Sequence, residues 1–268
     1  MTHKPKLGQN FLADAGAVAR IVAALGDLAG RTVVEIGPGR GAITDALAAR
    51  AGHVVAIEFD RELAAGLRKR FAAERVTPAR VSVVEQDALQ FDFAAAAAQA
   101  GERLRVAGNL PYYITSPILL KLAASHAALD LAVLMVQREV AERVTSAPGS
   151  RDYGLLSVTA QMYGPAEPLF TLPPAAFSPP PQVHSTVFRW RFAPRFAELR
   201  LDENGFLRFL RQAFAQKRKT LGNNLRAAGV APAAAAAALA SAGIAAQTRA
   251  EAVPVEALAA LWRELNKE

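Results

Sequence analysis

The chain has 268 residues, 52% hydrophobic and 21% charged, a length and balance that suit one large folded domain or one domain with a small companion. Its 31 Lys and Arg outnumber 24 Asp and Glu to leave a net charge of +7, which favours polyanionic partners such as nucleic acid. Cysteine is absent, which excludes thiolate metal sites and cysteine nucleophiles and fits a cytoplasmic protein.

The start, MTHKPKLGQNFL, is charged and lacks the apolar core of a secretory signal. From residue 31 the pattern alternates. RTVVEIG (31–37) is β-branched and reads as a strand, AITDALAAR (42–50) as a helix, HVVAIEFD (53–60) as a strand and RELAAGLRKRFAA (61–73) as a helix. RVSVVEQDA (80–88) is a third strand, followed by an Ala-rich helix at 92–100. LRVAGNL (104–110) is a fourth, followed by a helix at SPILLKLAASH (116–126). LDLAVLMVQ (129–137) is a fifth strand, and REVAERVTS continues as a helix. Strands that are apolar throughout, each followed by a helix, predict a parallel sheet covered on both faces. QVHSTVFRWRF (182–192) alternates instead and reads as an antiparallel edge strand, entered through the rigid Pro-rich loop PPAAFSPPPQV (173–183). After about residue 195 the pattern predicts helices only, at 203–219, 232–241 and 254–266. The expected architecture is an α/β, Rossmann-like, mostly parallel sheet with an antiparallel edge strand over residues 1–195. A small all-α domain follows over 196–268, with the boundary between Ala193 and Arg200. No stretch reaches the ~18 apolar residues of a membrane-spanning helix, so no membrane partner is expected.

EIGPGRG (35–41) follows the first strand and opens a helix. Gly37, Gly39 and Gly41 let the backbone pass close to a ligand at a helix N-terminus, although a tight βα turn alone would also use them. Glu58 ends the second strand roughly 20 residues later, where nucleotide-binding folds hold a ribose diol. Asp87 ends the third strand, where an acid can accept from an adenine amine. Each acid alone would pass as a solvated strand end or a helix cap. The spacing G-x-G-x-G preceded by Glu35, rather than G-x-G-x-x-G, resembles the S-adenosyl-L-methionine (AdoMet) site of class I methyltransferases more than an NAD site.

NLPY (109–112) ends the fourth strand in the same crevice. For a target amine on a base, the Asn109 side-chain oxygen and the Leu110 carbonyl can accept from both hydrogens and turn the lone pair toward a methyl donor. Pro111 fixes the turn and biases Leu110 to an extended backbone, which aims that carbonyl. Tyr112 offers a face for stacking, and Phe177 on the proline loop offers the opposite face; as alternatives, NLPY is a strand-to-turn junction with a buried Tyr and Phe177 a core residue. Tyr113 reads as core. A base inside a duplex would have to be flipped out or already be single-stranded. No cluster of His and carboxylates has ligand spacing, so no metal is expected.

LGQNFL (7–12), EIGPGRGAIT (35–44), NLPYYITSPIL (109–119), MVQREVAERV (135–144), YGLLSV (153–158), FSPPPQVHSTVFR (177–189) and KRKTLGNNLR (217–226) together resemble the ribosomal RNA adenine dimethyltransferases, nearly end to end and of the small-subunit type. The resemblance implies that the QNFL segment closes over AdoMet, with Asn10 and Leu12 as contacts. It also implies Gly37 near the methionine end, Glu58 on the ribose, Asp87 and Ala88 at the adenine, and Asn109 between cofactor and target amine. The implied activity is AdoMet-dependent N6,N6-dimethylation of two adjacent adenosines in a hairpin loop near the 3′ end of 16S rRNA, by a monomer acting on the small ribosomal subunit. The alternatives are a large-subunit rRNA adenine N6-methyltransferase of the macrolide-resistance type and a non-catalytic ribosome-assembly factor on the same fold.

Between Gly205 and Val230 there are six basic residues, Arg208, Arg211, Lys217, Arg218, Lys219 and Arg226, and no acid. A single-sign face of this kind suits RNA phosphates, although a solvated helix face is the plainer reading. Phe206, Leu210 and Phe214 recur at helical spacing and would pack inward. The basic arm His3, Lys4 and Lys6 precedes the QNFL segment and is the second expected RNA contact.

Overall fold

The computed structural model describes residues 10–72 and 80–267. The chain divides into two compact units. One comprises the residues up to Ala141 with Glu167–Phe192, the other Glu142–Ala166 with Ala193 onward.

The first unit holds the strands β1 (Phe11–Leu12), β2 (Thr32–Ile36), β3 (His53–Glu58), β4 (Val81–Glu85), β5 (Leu104–Asn109) and β6 (Leu129–Gln137). Between them run α1 (Ala15–Ala24), α2 (Ala42–Ala48), α3 (Arg61–Ala72), α4 (Phe93–Ala100) and α5 (Thr115–Ala124). After α6 (Arg138–Thr145) and α7 (Leu155–Tyr163) come β7 (Ala166–Leu172), β8 (Phe177–Ser178) and β9 (Ser185–Arg191). The main sheet has seven strands in the order β4-β3-β2-β5-β6-β9-β7. The strands β4, β3, β2, β5 and β6 are parallel, and β9 runs antiparallel to β6. The order reverses at β2, so the C-terminal ends of β2, β3 and β5 open a crevice of the kind that binds ligands in α/β folds.

The interior strands are buried along their length because both faces are covered: Val33, Val34, Val54, Val106, Val133 and Leu134 have no exposed surface. On one face Ile21 and Val22 of α1, with Leu25 just after it, pack with Val33, Leu47 and Val133. The periodicity did not single out α1. Its start is set by Asp14, whose carboxylate accepts from the Ala17 N–H at 2.9 Å. The antiparallel strand expected at the sheet edge is β9, and it lies inside, between β6 and β7; β7 takes the edge. Val187, Phe188 and Trp190 of β9 are accordingly buried, which an edge position would not require.

The second unit is helical, with α7, α8 (Glu203–Ala213), α9 (Leu221–Ala227), α10 (Pro232–Ser241) and α11 (Val255–Leu265). It takes in residues 142–166, which the sequence reading grouped with the catalytic part. The single helix expected over 203–219 is broken. Buried Asn224 donates through Nδ2 to the Ala213 carbonyl at 2.7 Å and the Gln216 carbonyl at 3.4 Å, oxygens that a continuous helix would have satisfied itself. Thr220 then caps α9 by accepting from Asn223 N–H at 3.3 Å. Phe206, Phe209 and Leu210 do pack inward, while Phe214 is half-buried and meets the Tyr153 ring edge-on at 6.4 Å.

Candidate active site

Strand β2 runs into Gly37-Pro38-Gly39-Arg40-Gly41 before α2 begins. Gly39 has φ of +57°, and a Cβ there would sit 2.9 Å from the Phe11 ring. The glycine is therefore needed for both its backbone conformation and its clearance. Phe11 and Leu12 are tied down by pairing with Ser178 and Phe177 of β8, and the Arg40 guanidinium lies 4.4 Å over the Phe11 ring. This short strap borders the crevice.

Two adjoining cavities lie along the strand ends. Gly37, Glu58 and Pro111 line both, so they form one continuous groove at the strand ends. Asn10, Leu12, Glu35 and Asn109 line the first part; Phe59, Asp87, Ala88 and Tyr113 line the second. All the cofactor contacts expected from the sequence thus border this groove.

Three acids line it. Glu58 is 5% exposed at the end of β3. Its Oε2 accepts from Gly39 N–H at 3.0 Å and its Oε1 from Asp60 N–H at 2.9 Å. Burial outweighs these bonds and pushes its carboxyl above the ordinary range. Asp87 caps the turn 88–90 by accepting from Leu89 N–H at 2.9 Å. Glu35, inside β2, is 1% exposed and accepts from the Thr44 hydroxyl at 2.6 Å. Burial, with smaller contributions from Asp45 and Glu58, pushes its carboxyl up to about 8.

Asn109 ends β5, and its Nδ2 donates to the Asn10 carbonyl at 3.0 Å. Leu110 donates its N–H to the Met135 carbonyl at 2.9 Å; its side chain is buried, so only its main chain is left to offer. The Thr115 hydroxyl donates to the Pro111 carbonyl at 3.0 Å. Tyr112 is half-buried, with its hydroxyl 2.9 Å from Ser185 Oγ on β9.

Two aromatic expectations are corrected. Tyr113, read as core, is 61% exposed and lines the groove. Residues 112–114 form one tight helical turn, which sends successive side chains about 120° apart, so Tyr112 goes to Ser185 and Tyr113 goes outward. Phe177, read as the second stacking face, is 4% exposed and packed in the apolar core with Leu12, Leu172 and Val187. Its pairing opposite Leu12 covers it. Phe59, Thr115 and Ser185 were not singled out from sequence. Phe59 and Ser185 follow a strand end or start a strand, which was their only signal.

Arg208, Arg211, Lys217, Arg218, Lys219 and Arg226 all belong to the helical unit, and all are exposed. His3, Lys4 and Lys6 lie outside the described residues. Among the described residues, no helix is long and apolar enough to cross a membrane.

The family model described as ribosomal RNA adenine dimethylase matches residues 1–267. A relative from Acidobacterium capsulatum, named ribosomal RNA small subunit methyltransferase A, is 61% identical over 98% of this chain and 92% of its own. Among solved structures, a dimethyladenosine transferase from Plasmodium falciparum has a TM-score of 0.80 at 22% identity, covering 94% of this chain and 95% of its own. The 23S rRNA methyltransferase ErmE has a TM-score of 0.73 at 26% identity, covering 96% and 100%. The fold is that of the Rossmann-like methyltransferases, and the chain belongs to the ribosomal RNA adenine dimethylase family.

Proposed function

We propose that this protein is an AdoMet-dependent rRNA (adenine-N6,N6)-dimethyltransferase that acts on two adjacent adenosines in a hairpin loop near the 3′ end of 16S rRNA, within the small ribosomal subunit. The observation that carries the reading is Asn109. It borders the groove at a strand end with Nδ2 already bonded to the Asn10 carbonyl, which leaves Oδ1 to accept from a target amine.

The groove suits AdoMet. Its acidic lining favours a cationic ligand with a diol, and the conformation at Gly39 lets Phe11 close down on the loop. In this reading Glu58 holds the ribose, Asp87 and Ala88 border the adenine, Gly37 lies near the methionine end, and Asn10 and Leu12 cover it. Bound there, AdoMet supplies a methyl group on a positively charged sulfur and leaves as S-adenosyl-L-homocysteine.

The protein's share of the chemistry is positioning. Asn109 Oδ1 and the Leu110 carbonyl accept from the amine hydrogens and direct the nitrogen lone pair. Tyr112 stacks on the flipped-out base, which is worth about 1–3 kcal/mol. A neutral amide also suits a second transfer, because a monomethylated amine keeps one hydrogen and a neutral acceptor loses less than a carboxylate when the other bond disappears. The exposed cations of the helical unit contact rRNA phosphates.

The small-subunit target is supported by the name of the 61% identical relative. The likeness to ErmE favours a second reading, methylation of large-subunit rRNA. Incubating isolated small and large subunits with labelled AdoMet, then analysing their adenosines by mass spectrometry, separates the two. Dimethyladenosine in small-subunit rRNA alone is expected. Label confined to the large subunit would establish the alternative, and no label in either would favour an assembly factor.

A further inference from the structure

We propose that the main-chain carbonyl of Asn10 is a positioning group for Asn109: it fixes which end of the amide faces the target, and it is the reason an amide rather than a carboxylate stands at this position. This rests on the reading of Asn109 Oδ1 as acceptor for the target amine.

A backbone carbonyl can only accept. Within 3.0 Å of the Asn10 oxygen, Asn109 must therefore present Nδ2, and Oδ1 takes the other side. Turned over, the amide would set two acceptors against each other at Asn10 and two donors against each other at a target amine. The carbonyl is itself held. Phe11 and Leu12 pair with β8, and the Ala13 N–H donates to the Ala176 carbonyl at 2.8 Å. The Phe11 ring lies against Gly39, with the Arg40 guanidinium over it. An element that borders the cofactor groove thus also sets the orientation of the group that receives the substrate.

Aspartate at 109 would have nearly the same shape and would still offer an oxygen to the amine. Ionised, it would place a charged acceptor against the Asn10 carbonyl. Protonated, its hydroxyl could donate to that carbonyl while its other oxygen accepts from the amine. The ionisable groups that share the cavity with residue 109 are Glu35 on β2, Glu58 on β3, Arg40 in the glycine loop and Tyr112. These groups are present in wild type and variant alike, so the ratio of the two rates removes whatever part of their titration residue 109 leaves unchanged.

The experiment compares methyl transfer by wild type, Asn109→Asp and Asn109→Ala from about pH 5.5 to about pH 8.5. Hydrogen exchange at the Ala13 amide is measured on the same proteins without cofactor. The expected result is an Asn109→Asp to wild-type ratio that falls with rising pH, by about tenfold per pH unit above the new carboxyl's pKa. Ala13 should exchange faster in Asn109→Asp than in wild type at alkaline pH, and the difference should close in acid. Full activity of Asn109→Asp at alkaline pH would overturn the proposal. So would a low ratio that does not change with pH together with wild-type exchange at Ala13. Should the aspartate variant transfer nothing at any pH, exchange alone decides: a pH-dependent loosening at Ala13 upholds the Asn10 contact, and none refutes it. Wild-type transfer by Asn109→Ala would instead strike the reading of Asn109 as amine acceptor.

Discussion

Glu35→Gln should make the ligand-free protein more stable, and the gain should grow with pH. Glu35 is 1% exposed within β2, its carboxyl is pushed up to about 8, and the Thr44 hydroxyl donates to it at 2.6 Å. An unfolded chain releases the same proton near 4.5. Below that value both states hold the proton and the site's contribution to stability is fully present. Between 4.5 and about 8 the unfolded state gives up its proton while the native state keeps it, so stability is lost as pH rises. At about 1.4 kcal/mol per pH unit, the whole window is on the order of 5 kcal/mol. Glutamine stays neutral and keeps an oxygen for Thr44, so its variant lacks this loss. Glu58, raised in the same direction, is present in both proteins and cancels in the comparison. Thermal unfolding of wild type and variant near pH 5, 6.5 and 8 should show a difference in Tm that opens to several degrees at the alkaline end, taking about 2 °C per kcal/mol for a chain of this size. Binding of a cationic ligand should drive Glu35 toward its charged form. Titration calorimetry with AdoMet near neutral pH, in buffers of different ionisation enthalpy, should then show proton release by wild type and less by the variant. A Tm difference that stays constant with pH, or one that favours wild type increasingly at pH 8, refutes the reasoning.

Ser185→Ala removes the partner of the Tyr112 hydroxyl at 2.9 Å and should lower kcat/KM for RNA by about two- to tenfold, with AdoMet affinity unchanged. Tyr112→Phe should do the same, and the double variant should be no worse than either; additive losses would show that the two side chains act separately. Gly39→Ala forces a Cβ to 2.9 Å from the Phe11 ring at a φ of +57°, and should weaken AdoMet binding by calorimetry. Undiminished affinity would mean that the strap does not close on the loop. Charge reversal at exposed Arg218 and Lys219 should weaken rRNA binding and flatten its salt dependence by about 0.7–0.9 in log–log slope per lost phosphate contact. An unchanged slope removes these residues from the RNA surface.

Strands β2 to β6 were readable to within a few residues because each is a short apolar run whose burial shows in its own letters. Glu58, Asp87 and Asn109 were readable for a related reason. In a parallel alternation every strand delivers its last residues to the same edge, so position along the chain translates directly into position at the crevice. Local sequence could not decide which side of a turn faces what. Tyr112 and Tyr113 are adjacent and chemically alike, and only the tight turn at 112–114 sends one to Ser185 and the other to the groove. The rigid proline loop carrying Phe177 does not show in its own letters that β1 pairs with it and covers that ring. The 203–219 periodicity held through α8, yet buried Asn224 takes the carbonyls that would have continued it. The bond from Asn109 to the Asn10 carbonyl joins residues 99 apart in sequence. No periodicity records such a pairing. It exists only because folding brings the start of the chain back over the end of β5, and that long-range closure is what the tertiary structure alone decided.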